Sequence, residues 1–182
     1  MENAHKRKKE PERNKQLILE AATEIGSSAD WHQVTFQAIS DKTGLSKGGI
    51  IHHFKNKEDL LDELMRQSLS DLTNWINEYK ENNPSTDGAM AYLQAVIARG
   101  GDEKYKKTMR IILQGVMLNE HYRQTWNEWH KKNIMQEHGN DIDTNSLIIF
   151  LVADAIWYIE NFGFSILDEN TKQKIVTYLK RS

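Results

Sequence analysis

Residues 35–60 read TFQAISDKTGLSKGGIIHHFKNKEDL, and this stretch decides the fold. Thr35 and Ser46 each precede a short apolar pattern, and their hydroxyls can accept hydrogen bonds from the unpaired N–H groups of a first helical turn. Gly44 stands between the two patterns, where a left-handed residue allows a tight turn. The stretch therefore predicts two short helices joined by a glycine-containing turn, a helix-turn-helix within about residues 35–54.

The second short helix has features that suit double-stranded DNA. It is short and slim enough to enter a major groove. Ser46 and Lys47 bring a hydroxyl and a positive charge to its first turn, beside N–H groups that suit a phosphate. Gly48 and Gly49 carry no side chain, so the backbone can approach closely. Lys57, at the start of the next helix, is placed where a second phosphate would sit.

Outward from this stretch, the periodicity stays helical on both sides. An apolar stripe over residues 17–25 predicts an amphipathic helix before it. We see neither strand alternation nor a repeat at a fixed period. The chain therefore predicts an all-α fold of about nine helices, of which the later six cover about 57–81, 86–99, 103–118, 120–138, 143–162 and 169–181.

The composition of the 182 residues limits the function classes. Residues 1–57 carry a net charge of +3 and residues 58–182 one of −5, which indicates that only the N-terminal part meets a polyanion. The absence of cysteine excludes disulfides and thiolate metal sites. No run of apolar residues reaches the ~18 needed for a membrane span, and no secretory signal opens the chain. We expect a cytoplasmic, nucleoid-associated protein with no membrane partner, no cofactor and no metal.

Within these limits, the sequence resembles the TetR family of bacterial transcriptional repressors over about residues 11–71. The resemblance is carried by Thr35, Ile39, Gly44, Leu45, Ser46, Lys47 and Gly48, the block His52-His53-Phe54, and residues 55–60. It implies a DNA-binding head at 11–71 after a basic arm at 1–10, and a helical ligand-binding and dimerisation body at 72–182. In this family the head binds a palindromic operator as a homodimer, and a small molecule in the body usually releases it.

The resemblance also assigns the DNA contacts. They map to Thr35, Ser46, Lys47, Gly49, His52, His53 and Lys57. The family often has threonine or serine where Gly49 stands, and tyrosine where Ile51 and His53 stand, so base specificity does not carry over. The departures at Gly49 and Ile51 keep a second hypothesis open, a helical interaction protein that has lost operator binding. The basic arm either follows the DNA backbone or is a solvated tail, and catalytic motifs that would favour an enzyme are absent.

The body contains apolar residues at helical spacing that predict an effector pocket. Met109, Leu113 and Met117 recur every four residues, and Trp126 and Trp129 share a face. With Trp157 and the acid Glu160, they would suit a hydrophobic or aromatic effector, with a preference for a cation. The alternative is that these residues simply fill the core, and that Glu160 and Asp154 are structural acids with partners.

The last two helices carry more apolar surface than one neighbour can cover. In TetR-like proteins, two such helices form a four-helix dimer seam. We therefore predict a homodimer through residues 143–181. The residues expected at the interface are Leu147, Phe150, Leu151, Ile156, Ile159, Ile175 and Leu179.

Overall fold

The computed structural model describes residues 2–28, 31–135, 143–164 and 166–181, with side chains from residue 10 onward. Within these ranges the chain forms nine α-helices and no strand, which confirms the all-α class. They are α1 (Glu2–Ser28), α2 (Phe36–Thr43), α3 (Lys47–His53), α4 (Lys57–Asn82), α5 (Gly88–Arg99), α6 (Glu103–Leu118), α7 (Glu120–His130), α8 (Thr144–Asn161) and α9 (Glu169–Leu179). None of the helices in these ranges is long and apolar enough to cross a bilayer.

Two helix ends differ from the prediction for local reasons. Helix α5 starts at Gly88, two residues later than predicted, because the Asp87 carboxylate accepts the N–H of Met90 at 2.7 Å and caps the helix there. Helix α7 ends at His130 and continues as a π-helical turn over Lys131–Met135. The predicted end of this helix at 138 lies outside the described residues.

The head is a three-helix unit built by α1, α2 and α3. Ile18, Ala22, Ile39, Ile50 and Phe54 are its buried side chains. The inward positions of Ile50 and Phe54 on and after α3 agree with the sequence pattern. Because these two residues anchor α3 from inside, the helix's other face is left at the surface.

The body is a helical bundle in which α5 packs against both α8 and α4. Helix α6 contacts α1, α4, α7 and α8, so it lies at the centre of the molecule. Helix α4 is one uninterrupted element of 26 residues, and the predicted division between head and body at residue 71 falls inside it. Buried α4 side chains such as Leu60 and Leu72 therefore belong to one core that is continuous from head to body.

Helices α1 and α6 tie the head to the body. A Cβ atom at Gly26 would meet Ile111 at 3.1 Å, so the two helices pack closely there. The Trp31 backbone N–H, in the 3₁₀ turn Trp31–Gln33, donates to Gln114 at 3.0 Å. Lys104 of α6 donates to Glu20 of α1 at 2.8 Å. Any movement of α6 is therefore expected to be felt by α1.

Candidate DNA interface and effector site

The helix-turn-helix is fixed by three local features that the sequence predicted. The Thr35 hydroxyl accepts the N–H of Ala38 at 3.1 Å and caps α2. The Ser46 hydroxyl accepts the N–H of Gly49, also at 3.1 Å, and caps α3. Gly44 has φ 73°, the left-handed conformation that ends α2 and turns the chain toward α3. These local features define the start of α2, the turn between the helices and the start of α3.

The structure brings five of the seven predicted DNA contacts together on α3 or at its cap. The side chains of Ser46, Lys47 and His52 are exposed, and Gly49 and His53 are half-buried. Positions 46, 49 and 53 share one face of the helix. Thr35 is exposed at the start of α2. No Cβ at Gly48 would have a neighbour within 4 Å, so this part of α3 presents bare backbone to the surface.

Lys57, the last of the predicted DNA contacts, has a partner within the chain. Its ammonium donates to the backbone carbonyl of Trp31 and lies 4.8 Å from the centre of the Trp31 ring. The charge is thus held by a carbonyl and an aromatic face within the chain. Lys57 therefore fastens the start of α4 to the 3₁₀ turn, and its contact with a phosphate stays a prediction.

His52 and His53 form a neighbouring pair at the end of α3. Their ring centres are 5.6 Å apart in an edge-to-face arrangement. Partial burial lowers the pKa of His53, and the adjacent His52 lowers it further. Both effects disfavour the charged form of the His53 imidazole. Lys47 brings a positive charge to the exposed first turn of the same helix.

The predicted effector pocket is filled by its own lining. Trp126 and Trp157 have ring centres 5.1 Å apart, which leaves no room for a ligand between them. The Trp157 indole N–H donates to the Tyr105 hydroxyl, and that of Trp129 donates to Thr73, each at 2.9 Å. The three tryptophans, Met109 and Leu113 are all buried. The described cavities are lined by other residues, so the core alternative applies to these five positions.

Two further residues of the predicted pocket are corrected. Met117 is 68% exposed in the last turn of α6, so the apolar wall ends at Leu113. Glu160 forms a buried ion pair with Lys172 of α9, a partner that the sequence pattern did not indicate. Its carboxylate is therefore neutralised inside the chain and is not available to an effector.

The body contains a buried polar cluster, of which the sequence pattern indicated Asp154 but not His130. The Tyr92 hydroxyl donates to Asp154 at 2.9 Å, which confirms Asp154 as a structural acid with a partner. His130 lies with its Nε2 atom 3.7 Å from the same Asp154 oxygen, and this atom has no hydrogen bond. Burial lowers the pKa of His130 to about 4 and raises that of Asp154. Only the spacing of His130 from Trp126 and Trp129 along α7 could have indicated its burial.

The predicted dimer residues divide into buried and exposed groups. Phe150, Ile156 and Leu179 are at most 9% exposed within a single chain, so they pack inward and are not available to a partner. Ile159 and Ile175 are half-buried. Leu147 and Leu151 remain on the surface. They share one face of α8 with the exposed side chains of Tyr158 and of Phe162, the residue that follows the helix.

Comparison with protein families settles what kind of molecule this arrangement belongs to. Residues 18–64 match the family model described as bacterial regulatory proteins, tetR family. Residues 88–182, more than half of the chain, match the model described as tetracyclin repressor-like, C-terminal domain. The chain belongs to the TetR family. The first match contains the whole helix-turn-helix, so the capped α2–α3 unit is that of a TetR-family transcriptional regulator.

Two curated TetR-family regulators illustrate the similarity. The chain is 35% identical over 98 residues to the HTH-type transcriptional regulator BetI of Klebsiella pneumoniae, a stretch that covers 52% of this chain and 47% of BetI. It is 30% identical over 80 residues to the HTH-type transcriptional repressor KstR2 of Rhodococcus jostii, covering 44% of this chain and 38% of KstR2. The matches thus span less than half the length of either relative.

A solved structure extends the similarity of fold to nearly the whole chain. The multidrug binding protein EbrR, in complex with malachite green, superposes with a TM-score of 0.71 at 15% sequence identity. The superposition covers 91% of this chain and 96% of EbrR. At this identity the comparison supports the shared architecture of head and body.

Proposed function

We propose that this TetR-family regulator is a repressor that binds a palindromic operator as a homodimer and is released by a small effector. The observation that carries the DNA part is the capped α3 with Ser46, Lys47 and bare backbone at its exposed first turn. A hydroxyl, a charge and helix N–H groups at one point favour a phosphate, and the remaining face of α3 can then reach base edges. The protein would act on bacterial chromosomal DNA in the cytoplasm.

The homodimer is supported by an uncovered apolar stripe on α8. Leu147, Leu151, Tyr158 and Phe162 are between 36% and 55% exposed and recur at helical spacing. A contiguous apolar patch on one helix face is typical of a protein–protein interface. Two copies joined there would present two α3 helices, which matches a palindromic operator with half-sites about 34 Å apart.

The effector part of the proposal keeps a small hydrophobic or aromatic molecule but not the predicted pocket. EbrR, a protein with this fold, forms a complex with malachite green, which is an aromatic compound. In the present chain the predicted walls pack on each other, so the ligand would need a cavity elsewhere. The alternative function, an interaction protein without operator binding, is supported by Ile51, an apolar residue that is 50% exposed on α3.

Selection of bound duplexes from random DNA, followed by fluorescence anisotropy, tests the proposal. We expect a palindromic sequence to be enriched at low salt. Lys47→Ala should lower the slope of log affinity against log salt by about one unit, because one phosphate contact is lost. Lys174→Ala, which removes an exposed lysine from α9, is the matched control and should leave the slope unchanged. If no palindrome is enriched, the interaction protein becomes the better hypothesis.

A further inference from the structure

A cavity of about 330 Å³ lies where α1 of the head meets α6 of the body and α4, the helix that runs through both. Its apolar lining comes from Leu19, Leu64, Trp75 and Tyr105. Three of these are less than 10% exposed, and Trp75 is half-buried. The volume falls in the range of small-molecule sites, which are mostly apolar with a few placed polar groups. This cavity shares no residue with the predicted pocket.

The charged residues around the cavity do not cancel. Lys104 is bound to Glu20 at 2.8 Å, so these two charges compensate each other. Asp71 and Asp102 also line the cavity, and both are exposed at its mouth. Asp102 accepts the backbone N–H of Tyr105 at 3.0 Å as the cap of α6, so the positive end of that helix compensates part of its charge. The excess negative charge at the mouth therefore comes mainly from Asp71, above an apolar base.

Tyr105, in the base of the cavity, is close enough to these carboxylates for their charges to affect its pKa. Burial raises the pKa of Tyr105, and the hydrogen bond from Trp157 lowers it in part. The negative charges of Asp71 and Asp102 raise this pKa further. Both carboxylates thus act on the same ring that forms the base of the cavity.

The Trp75 ring already makes a cation–π contact within the chain. The Arg99 guanidinium lies 4.2 Å from the centre of the Trp75 ring, in a second cavity between α4 and α5. The same indole packs edge-to-face on Tyr105, with ring centres 5.3 Å apart, at the edge of the junction cavity. Arg99 is not among the residues that line the junction cavity. An aromatic surface beside unbalanced carboxylates favours a positively charged ligand.

We propose that the junction cavity binds an organic cation with a flat apolar body. The charge would lie at Asp71 and Asp102, and the body would pack on Trp75 and Tyr105. Because α1 belongs to the head, α6 belongs to the body and α4 runs through both, an occupant contacts both units at once. A resulting loss of DNA affinity rests on the proposed function, whereas binding of the cation does not.

Isothermal titration calorimetry on the full chain tests the site with phenyltrimethylammonium and its neutral isostere, tert-butylbenzene. We expect the cation to bind at least tenfold more tightly than the neutral compound. The double variant Asp71→Asn/Asp102→Asn should weaken cation binding about fivefold and leave the neutral compound unaffected, because the carboxylates are solvent-exposed. Asparagine caps helices as well as aspartate, so α6 should keep its start.

Two control variants distinguish binding in the junction cavity from binding elsewhere on the chain. Glu81→Gln removes one exposed carboxylate from α4 outside the cavity lining and should not change cation binding. Trp126→Phe alters the pocket predicted from the sequence and should also have no effect. Circular dichroism melting confirms that each variant is folded. The proposal is overturned if the cation does not bind, if the double variant binds it as tightly as the unaltered chain, or if binding follows Trp126.

Anisotropy with the selected duplex then separates the two proposals. Phenyltrimethylammonium should lower the DNA affinity of the unaltered chain more than that of the double variant. If the chain binds the cation through the two aspartates but no duplex is ever selected, the repressor proposal fails and the cavity assignment stands. If the chain binds DNA but not the cation, the cavity assignment fails and the repressor proposal stands.

Discussion

Replacing His130 by phenylalanine should make the stability of the protein less sensitive to acid. The imidazole is 6% exposed and surrounded by the rings of Tyr92, Trp126, Trp129 and Phe150, at centre distances of 5.3 to 5.9 Å. Its Nε2 atom has no hydrogen bond. Burial therefore favours the neutral ring in the folded state, whereas an unfolded chain protonates it near pH 6.5.

The direction and size of the effect follow from this difference. The pKa of His130 is about 4 when folded and 6.5 when unfolded, so the unfolded state binds the proton first as pH falls. Stability is complete above pH 6.5 and is lost toward pH 4. Between pH 7 and pH 5 the loss from this one group is about 2 kcal/mol. Asp154, whose pKa burial raises, acts in the opposite direction. It is present in both proteins, so to first order it cancels in the comparison.

Urea unfolding at pH 7 and pH 5, followed by tryptophan fluorescence at one protein concentration, measures this loss. The unaltered chain should lose about 2 kcal/mol more than His130→Phe over this interval. His121→Gln is the matched control, because His121 is on the same helix with its side chain 65% exposed. That variant should keep the loss. Equal losses in the unaltered chain and His130→Phe would refute the buried neutral imidazole. His130→Gln gives the same test if phenylalanine is too large.

Three further predictions concern backbone, packing and assembly. Gly44→Ala should destabilise the chain by about 1 kcal/mol, because Gly44 has a positive φ. Gly48→Ala should stabilise it by up to about 1 kcal/mol, because alanine favours the helix and its Cβ would lie in open space on α3. Chemical denaturation measures both free energies of unfolding. Gly115→Ala should lower the melting temperature, since its Cβ would meet the buried Leu61 side chain at 2.7 Å and the overpacking cost of about 1–3 kcal/mol outweighs a helix-propensity gain of up to about 1 kcal/mol. Leu151→Glu should convert the proposed dimer to a folded monomer in sedimentation velocity, and an unchanged dimer would place the interface elsewhere.

The head could be predicted almost completely because its signals are local. A capping hydroxyl at Thr35 or Ser46 needs only an N–H three residues away, and Gly44 needs only its own backbone angles. Such caps and turns require the same few residue types at the same spacing in any sequence, so they can be recognised from the sequence alone. Lys57 is the exception in the head, because its partner Trp31 is 26 residues distant and nothing local marks it.

The body could be predicted as helices but not as a site. Periodicity shows that Trp126 and Trp129 share a face, yet it does not show whether the facing helix leaves a gap or fills it. Here Trp157 of α8 fills it. The ion pair of Glu160 with Lys172 joins two helices through a turn, and the junction cavity draws its lining from three helices distant in sequence. Such arrangements depend on tertiary packing, which single-helix patterns do not encode.

Helix α4 limits where the head or the body of this protein can be exchanged for that of a relative. Its 26 residues extend about 39 Å without a break, from the end of the helix-turn-helix into the bundle. A splice inside α4 that adds or removes one residue would rotate the head against the body by about 100° and shift it by about 1.5 Å along the axis. Chimeras should therefore be joined residue for residue, or in steps of about seven residues, which restore the helical phase to within about 20°.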